Sequence, residues 1–523
     1  MVFNEIDINK VIMKSTYWTT GIVAMGLFFG CSTSSLDKVN PNQAITDNYY
    51  KTSDELLKGV NSVYAVWQSA NLTGREWFFL QDLRSDDVAT GGGQLEAPRS
   101  QLLIGAQNPT NPVAFSVWNG LYRTIHRANV VIDNGALVKD NPTLTKRVVG
   151  EAKFLRALAY FDLVTNWGGV PLYTDYVTNV DGTKAKASVD EIYTLLTTDL
   201  LAIQPDLPAS FSGADLGRVT KGAARALLAR VYMQKGDYTN AKTQLQQIIS
   251  SGSYKLTDEY MDNFIEETEF NSESLFEIGF SLIGGFNWDA DGNDNGANEN
   301  MTRSQEYSAI GWRNLIPSES LLAEYEHTAK GDTKTDPRLK YNFYFIGDAY
   351  NNGLNTLMES QVQGNTSLFN GVAQKVSWRK YTAMYKNNET FYTSGINMRL
   401  IRYAEVLLMM AEAENETGNT ANAIALLNQI RARKSVAMPA YPTAKYPVNS
   451  KDEVLRAVMH EKRVEQAGEQ IRNRDILRWR AQNKFKADPI SYFVKGKQEL
   501  LPIPQQELDN NSKLSQKDQN PGY

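Results

Sequence analysis

Apolar residues recur at three- and four-residue steps along much of the chain, which is the spacing of one face of a helix. The first such run follows Ser53 and contains Leu56, Leu57, Val60, Val63, Tyr64 and Trp67. The same pattern predicts helices over about 113–137, 145–167 and 188–203. Residues 71–112 lack the pattern and are broken by Gly91-Gly92-Gly93 and Pro98, so we predict an irregular insertion there.

Two segments repeat one pattern measured from a glycine. Gly236 is followed by Ala241, Leu245 and Ile248, and Gly418 is followed at the same offsets by Ala423, Leu427 and Ile430. This is the spacing of a tetratricopeptide helix pair, in which small residues let two helices approach and the glycine ends the first helix. Residues 149–167 with 188–203, and 53–69 with 113–136, are candidates for two further pairs. We therefore predict a mainly α fold, a tetratricopeptide-like scaffold of helix pairs.

Long loop-rich regions interrupt the predicted helix pairs. Residues 252–400 and 434–523 hold most of the Gly, Asn and Pro clusters. Loops of this length in a compact domain are usually functional, and they carry specificity more often than the scaffold does. We expect these irregular insertions to form the ligand face.

Composition narrows the class of partner. The chain is 42% hydrophobic and 22% charged, with a net charge of −5 and no basic tract. Nucleic acid is therefore not expected as a partner. The three histidines (His126, His327 and His460) are far apart in sequence, which argues against a zinc site.

Cys31 is the only cysteine, and it follows an apolar, uncharged stretch that ends at Gly30. Lys10 and Lys14 precede this stretch, which has the length of a signal-peptide core and is too short to span a bilayer. We predict a signal peptide with a lipidated cysteine over 1–31, a flexible tether over 32–52 and one α domain over 53–523. The alternative for Cys31 is a lone buried thiol.

A set of ordered segments resembles the SusD/RagB family from the cysteine to Tyr523. The segments are 150–157 (GEAKFLRA), 160–164 (YFDLV), 167–172 (WGGVPL), 402–408 (RYAEVLL), 411–413 (AEA), 427–428 (LN), 430–433 (IRAR), 461–465 (EKRVE), 478–479 (RW), 501–504 (LPIP) and 519–523 (QNPGY). Their order is more specific than any one of them. The domain over 53–523 is then a single SusD-like unit, with an N-terminal part of about 53–330 and a C-terminal part of about 331–523.

The resemblance implies a lipid-anchored protein of the outer membrane that faces the cell exterior. Such a protein captures oligosaccharides for a SusC-like TonB-dependent transporter, and it is neither an enzyme nor dependent on a cofactor. The alternative is a helical-repeat scaffold that binds only protein partners. A glycoside hydrolase would need two carboxyl groups about 5–10 Å apart across a cleft, and the sequence offers no distinctive pair.

Aromatic residues in loops with polar neighbours are the candidates for contact with a sugar, whose apolar face packs on rings while its hydroxyls exchange hydrogen bonds. The expected ligand-binding residues are Arg75, Trp77, Asp86, Asn287, Trp288, Tyr307, Trp312 and Arg313. Trp77 has core packing as its alternative. Trp118, Trp167, Trp378 and Trp479 lie on predicted helices or in the family segments, and we expect them to pack inside.

The segment from Asp291 to Glu299 matches the first half of a calcium loop. Asp291, Asn293 and Asn295 alternate before Gly296, and Glu299 takes the ninth place. Thr302 stands where a bidentate Glu is expected, so a solvated turn is the alternative to calcium. The alternating Glu and Arg residues of 461–478 predict ion pairs one helical turn apart rather than acid–base chemistry.

Overall fold

Long helices form the scaffold of the protein in a computed structural model that describes residues 49–283, 286 and 299–523. The chain from Lys51 to Tyr523 clusters as one compact unit. Its helices are α1 (Ser53–Gln68), α2 (Glu76–Leu83), α3 (Ala97–Leu103), α4 (Pro112–Gly135), α5 (Pro142–Trp167), α6 (Val189–Ala202), α7 (Lys221–Lys235), α8 (Tyr238–Ile249), α9 (Arg303–Tyr307), α10 (Glu319–Glu324), α11 (Arg338–Asn342), α12 (Tyr403–Glu416), α13 (Thr420–Arg431), α14 (Lys451–Glu465), α15 (Arg472–Ala481) and α16 (Gln505–Asn510).

Local sequence sets where these helices begin. Thr52 caps α1 in a capping box with Glu55, which satisfies two backbone N–H groups at the helix start. Asn111 caps α4, its side-chain oxygen accepting from the backbone N–H groups of Val113 and Ala114 at 3.1 Å each, and Pro112 occupies the first turn. The predicted helices over 113–137 and 145–167 are therefore found within a few residues of their expected bounds.

The two repeats fold as helix pairs, α7 with α8 and α12 with α13. Gly236 follows α7 in the left-handed conformation, with φ of 71°, which a residue with a Cβ adopts only at a cost. Ala241, Leu245 and Ile248 are buried, and the corresponding residues of α13 are buried too. Helix α8 packs against α12, α5 packs against α6, and α1 packs against α4. The prediction of a mainly α fold built on helix pairs is confirmed.

Short antiparallel strands organise the loop-rich regions. The strands are β1 (Val88–Thr90), β2 (Ser274–Ile278), β3 (Leu315–Pro317), β4 (Phe343–Tyr344), β5 (Ala349–Tyr350), β6 (Asn355–Thr356), β7 (Ser367–Phe369), β8 (Val372–Gln374), β9 (Ser377–Trp378) and β10 (Met398–Arg402). They pair as β1 with β3, β2 with β10, β4 with β9, β5 with β6 and β7 with β8. In the register of the first pair, Val88 lies opposite Pro317 and Thr90 opposite Leu315.

The prediction that residues 71–112 are irregular is wrong in part, because α2, β1 and α3 lie within them. Helix α2 is buried around almost its whole circumference, and seven of its eight residues are buried. A short helix of this kind has no polar face, so its sequence shows no amphipathic period.

Charged residues of the C-terminal half meet in the interior and form what we call the buried ion network: Glu273, Arg338, Arg402, Arg433, Glu461 and Glu465. Arg402 lies 2.7 Å from Glu273 and 2.8 Å from Glu465, and each of the three side chains is at most 1% exposed. The expectation of ion pairs one turn apart fails for Glu461 and Glu465. Glu461 pairs with Arg338 of α11 and Arg431 of α13. Glu465 pairs with Arg402 of β10 and with Arg433, which follows α13.

The C-terminal segment closes against α5. Asn520 donates from its side-chain nitrogen to the backbone oxygens of Trp167, at 2.8 Å, and Leu501, at 2.7 Å. The backbone N–H of Leu501 donates to Asn166 at 2.8 Å. Hydrogen bonds therefore join the segments 167–172 and 519–523, although more than 300 residues separate them in the sequence.

Candidate functional site

Trp312 and Phe391 form an aromatic pair at the surface of the loop-built region. Their ring centroids are 5.9 Å apart with 60° between the ring planes. The Phe391 side chain is 60% exposed, and Trp312 is half-buried. A large exposed ring beside a second ring is unusual on a soluble surface and marks a place where a ligand with an apolar face can pack.

Gln305, on the short helix α9, holds both ring-bearing segments. Its backbone oxygen accepts from the N–H of Trp312 at 2.7 Å, and its side-chain oxygen accepts from the N–H of Tyr392 at 2.7 Å. Gln305 is fully buried, so water does not compete for these bonds. One buried residue therefore fixes the segments that carry Trp312 and Phe391, through its backbone carbonyl and its side-chain amide.

Neutral amide side chains lie beside the pair. The Gln363 side-chain nitrogen donates to the backbone oxygens of Gly311, at 3.1 Å, and Trp312, at 3.0 Å. The Gln94 side-chain nitrogen donates in turn to the Gln363 side-chain oxygen at 3.0 Å. Both glutamines are exposed, so each keeps hydrogen-bonding capacity that faces solvent. We call Trp312, Phe391, Gln94 and Gln363 the Trp312–Phe391 surface.

Close backbone contact brings the three loops of this surface together. The Gly91 N–H donates to the Asn314 backbone oxygen at 2.9 Å, and the Asn365 N–H donates to the Gly91 oxygen at 2.7 Å. A Cβ at Gly91 would lie 1.6 Å from the Arg313 carbonyl oxygen, so only glycine fits there. The glycine-rich segment of the 71–112 insertion therefore packs against residues 313–314 and 365.

Arg313 points inward and ties the same loops from beneath. Its side chain is 1% exposed and its φ is 53°. The guanidinium donates to Ser377 Oγ and to the backbone oxygens of Gln363, Asn365 and Val376, at 2.7–2.8 Å. Burial lowers the pKa of Arg313 to about 10. Arg313 therefore supports the Trp312–Phe391 surface from below rather than facing a ligand.

Arg75 reaches the base of the surface through a buried carboxylate. Its Nε lies 2.7 Å from Glu306, whose other oxygen accepts from the Asn314 side chain at 2.5 Å. Asp86 is used elsewhere, because Arg472 lies 2.7 Å and Arg463 3.0 Å from its carboxylate. Burial opposes ionisation of Asp86, but these two arginines outweigh it and lower its pKa.

Trp77 and Tyr307 lie in the interior. Trp77 is 2% exposed, and its indole N–H donates to Asp162 at 2.5 Å. Tyr307 is fully buried, and its hydroxyl donates to Asp82 at 3.1 Å. Burial, with the nearby Asp82 charge, raises the pKa of Tyr307 well above its ordinary value. Neither ring is accessible to a ligand in this structure, so neither belongs to the Trp312–Phe391 surface.

The remaining expectations fall mostly beyond the described residues. Asn287, Trp288, Asp291, Asn293, Asn295 and Cys31 all lie outside them. Glu299 is exposed and accepts from the Ser281 hydroxyl at 3.1 Å. In the described ranges, no group of three or more His, Cys, Asp or Glu side chains is placed to hold a metal ion. Over the same ranges, none of the helices combines the length and the apolar character needed to cross a bilayer.

Sequence reasoning missed Phe391, Gln94 and Gln363. Phe391 follows Asn387-Asn388-Glu389-Thr390, so it is an aromatic residue in a polar stretch, which is the same signal that selected Trp288. The two glutamines carry no such signal, because amides are common in every loop. Their role depends on which loops meet, and that is visible only in the fold.

Two adjoining cavities of about 230 Å³ each lie beside the 209–220 loop. Both are lined by Arg218 and Phe270, and the first also by Phe211. The Arg218 guanidinium is already engaged, at 3.0 Å from Glu151 and 2.6 Å from Asp215. Polar side chains also line both cavities, including Asn271 in the first and Asn61 in the second.

Similarity to known proteins agrees with this architecture. Residues 272–523 match the model of the SusD family, and residues 36–233 match a family described as starch-binding and associating with the outer membrane. Residues 225–251 match the tetratricopeptide repeat, which is the α7–α8 pair.

Two relatives match along most of the chain, and a third matches about a third of it. One SusD-like protein of Formosa agariphila is 26% identical over 473 residues, which cover 87% of this chain and 90% of the relative. Another from the same organism is 26% identical over 534 residues, covering 97% and 99%. The starch-binding protein SusD of Bacteroides thetaiotaomicron is 28% identical over 184 residues, covering 34% of this chain and 32% of its own.

Solved structures share the fold. A laminarin-binding SusD-like protein aligns with a TM-score of 0.73 and 28% identity, covering 91% of this chain and all of its own. A SusD-like protein of Bacteroides fragilis aligns with a TM-score of 0.74 and 22% identity, covering 91% and 98%. The helix pairs, the ordered sequence segments and these matches together place the chain in the SusD/RagB family.

Proposed function

We propose that this protein binds oligosaccharides through the Trp312–Phe391 surface. The exposed ring pair, held by Gln305, carries the proposal. Rings of this kind pack against the C–H face of a pyranose, and the exposed side chain of Gln94 and the side-chain oxygen of Gln363 would exchange hydrogen bonds with its hydroxyls. The family supports a binding role, and we propose no catalysis.

Neutral glucans are the class of ligand that this surface favours. The polar groups beside the rings are amides, which suit hydroxyls. The nearby cations are engaged, since Arg313 is buried on backbone oxygens and Arg75 is paired with Glu306. An acidic sugar would find no available positive charge among these residues. The 28% identical relative that binds laminarin suggests a β-glucan as the first probe.

We further propose that the protein is lipid-anchored at Cys31 on the outer membrane, faces the cell exterior and works with a TonB-dependent transporter. The family description, which includes association with the outer membrane, supports this location. The transporter would take up the oligosaccharide that the Trp312–Phe391 surface holds.

Alanine substitution of Trp312 tests the binding site. Losing a central aromatic contact typically costs about 2 kcal/mol, so the Kd for laminarin oligosaccharides should rise roughly 30-fold in Trp312→Ala. Binding is measured by isothermal titration calorimetry with the full chain, and thermal unfolding is followed in parallel. Because Trp312 is half-buried in a loop, its replacement should change the melting temperature little.

Phe211→Ala is the matched control. Phe211 is another half-buried ring, but it lines the cavity beside the 209–220 loop. Unchanged affinity in Phe211→Ala and lost affinity in Trp312→Ala supports the proposed site. The reverse pattern would move the site to that cavity, and failure of every neutral glucan to bind the unaltered protein would reject the proposed ligand class.

A further inference from the structure

A second pocket lies between α4, the 172–177 segment and α16, and it shares no residue with the Trp312–Phe391 surface. It encloses about 230 Å³ and is lined by aromatic, amide and carboxylate side chains, among them Tyr122, His126, Asn129, Tyr173, Asp175 and Glu507. We call it the Tyr122–Tyr173 pocket. Nothing in the proposed glycan-binding role makes use of it.

Two tyrosine rings form a corner of this pocket. The rings of Tyr122 and Tyr173 are perpendicular, at 90°, with centroids 5.9 Å apart. The Tyr122 hydroxyl is fixed by donating to the Pro171 backbone oxygen at 2.8 Å. The two rings meet edge to face, and both line the pocket. Aromatic rings that line a pocket beside a carboxylate can attract a cation through their ring quadrupoles.

The wall opposite α4 is preformed. The Asn129 side-chain nitrogen donates to the backbone oxygens of Tyr173 and Asp175, at 3.0 Å each. Arg156 donates to the Asn129 side-chain oxygen at 2.7 Å and fixes the orientation of that amide. The 173–175 segment is therefore held in place before any ligand arrives, so binding costs little reorganisation.

Glu507 contributes a negative charge to the pocket. The side-chain groups that donate hydrogen bonds to its carboxylate are neutral. One oxygen of this half-buried carboxylate accepts from the Trp118 indole N–H at 3.4 Å, and the other accepts from the Asn511 amide at 2.9 Å. No ion pair joins Glu507 to a cation of the described chain. Burial and the Glu507 charge also raise the pKa of Tyr173.

The other charged groups near the pocket leave Glu507 uncompensated. Lys184 lies 3.4 Å from Asp175, so these two opposite charges offset each other at the rim. Arg127 turns away and donates to the Ser62 backbone oxygen at 2.8 Å. Burial, together with Arg127, lowers the pKa of His126, which leaves that imidazole neutral at pH 7.

From this geometry we propose that the Tyr122–Tyr173 pocket binds an organic ammonium cation. The cation would face the two tyrosine rings and pair with the Glu507 carboxylate, which gains the positive partner it lacks within the chain. A carboxylate beside aromatic faces stabilises an ammonium group through both charge and ring quadrupole. A neutral ligand of the same shape would gain neither contribution.

The first test compares two molecules of matched shape, choline and its uncharged isostere 3,3-dimethyl-1-butanol, on the unaltered full chain. Choline should bind at least about tenfold more tightly by titration calorimetry. Equal binding of the two would overturn the proposal, as would the absence of choline binding. This comparison needs no variant, so it remains decisive whatever a substitution does to folding.

The second test places the choline site at Glu507. Glu507→Gln keeps the side-chain shape and removes the charge, so choline affinity should fall about tenfold. The control is Asp509→Asn, an equal change of charge on the exposed side of the same short helix, which should leave the affinity unchanged. Unaltered choline binding in Glu507→Gln, or an equal loss in both variants, would overturn the assignment. Laminarin affinity should not change in either variant, which separates this pocket from the glycan site.

Discussion

The Trp312–Phe391 surface and the buried ion network stabilise the protein in opposite ways. The surface exposes rings and neutral amides to solvent, and backbone hydrogen bonds hold its loops together. The network joins Glu273 before β2, Arg402 at the end of β10 and Glu465 at the end of α14, with almost no solvent contact. The charged groups near the surface, Arg313 and the Arg75–Glu306 pair, lie beneath it, and the exposed face itself presents neutral rings and amides.

This difference separates stability from binding. An exposed ring is buried mainly when a ligand covers it, so it contributes more to the free energy of binding than to that of folding. Removing the ring should therefore weaken binding more than it destabilises the fold. A buried charge gains its free energy from its partners, and removing one partner leaves the other uncompensated in a dry interior. The two regions should therefore respond to substitution independently.

The largest effect is expected in the network. Arg402→Ala removes the partner of Glu273, Glu465 and Glu469, and breaking a buried pair typically costs about 3–5 kcal/mol. The free energy of unfolding, measured with urea at pH 7, should fall by that amount. Laminarin affinity should be retained at temperatures where the variant stays folded.

Arg456→Ala is the control for this prediction. Arg456 pairs with Glu453 at 3.6 Å on α14, and its side chain is 60% exposed. Exposed pairs contribute little, so unfolding should not change measurably. If Arg402→Ala were as stable as Arg456→Ala, the network would not be the stabilising element that its geometry indicates.

Acid should weaken the same network. Burial alone would raise the pKa of Glu273, but Arg433 and Arg402 outweigh burial and hold it at about 2, below the ordinary value of 4.5. A carboxyl group with a lowered pKa contributes stability above its unfolded-state pKa and loses it as pH falls. We expect a loss of about 3 kcal/mol between pH 4.5 and 2, measured by urea unfolding across that range.

Glu273→Gln checks the source of this pH dependence. It should be less stable than the unaltered protein at pH 7, and its stability should vary less between pH 4.5 and 2. An identical acid slope in both proteins would assign the effect to other carboxylates. Laminarin affinity should stay constant between pH 5 and 8, because the Trp312–Phe391 surface is built from rings and amides that do not titrate there.

The smallest effect is expected at the buried residue that supports the Trp312–Phe391 surface. Gln305→Ala removes the acceptor for the Tyr392 N–H and leaves the carbonyl that holds Trp312. Glycan affinity should fall about fivefold, near 1 kcal/mol, because Phe391 loses its fixed position. Stability should fall by about 1–2 kcal/mol, since a buried N–H loses its partner. Gln246→Ala, on the exposed side of α8, should change neither quantity; equal affinities for both variants would remove Gln305 from the positioning role.

Helix pairs were predictable because their signals are local. The period of Leu56, Val60 and Val63 in α1, and the offsets after Gly236, reflect packing within one or two helices. Helix α2 escaped notice because Trp77 and its neighbours are buried on all sides, so no period appears. The ion network escaped because Glu465 reaches Arg402 from another part of the chain, and sequence spacing does not show such partners.

The candidate site was predictable only in part. Trp312 was selected as an aromatic residue in a polar loop, and it lies at the surface. Tyr307 was selected as another ring and Arg313 as a polar neighbour, but both side chains are buried. Arg313 also has a left-handed backbone, with φ of 53°. Residue type gives the chemistry of a loop, whereas the direction of each side chain depends on backbone turns that the sequence does not reveal.

The hydrogen bonds from Asn520 to Trp167 and Leu501 have a consequence for folding kinetics. Contacts between residues so distant in sequence close large loops, which slows folding and makes it cooperative. The C-terminal end of helix α5 lacks these hydrogen bonds until residues 501–523 have packed against it. The N-terminal and C-terminal parts are therefore not separable modules, and a chain cut between them should recover its structure only when both fragments are present together.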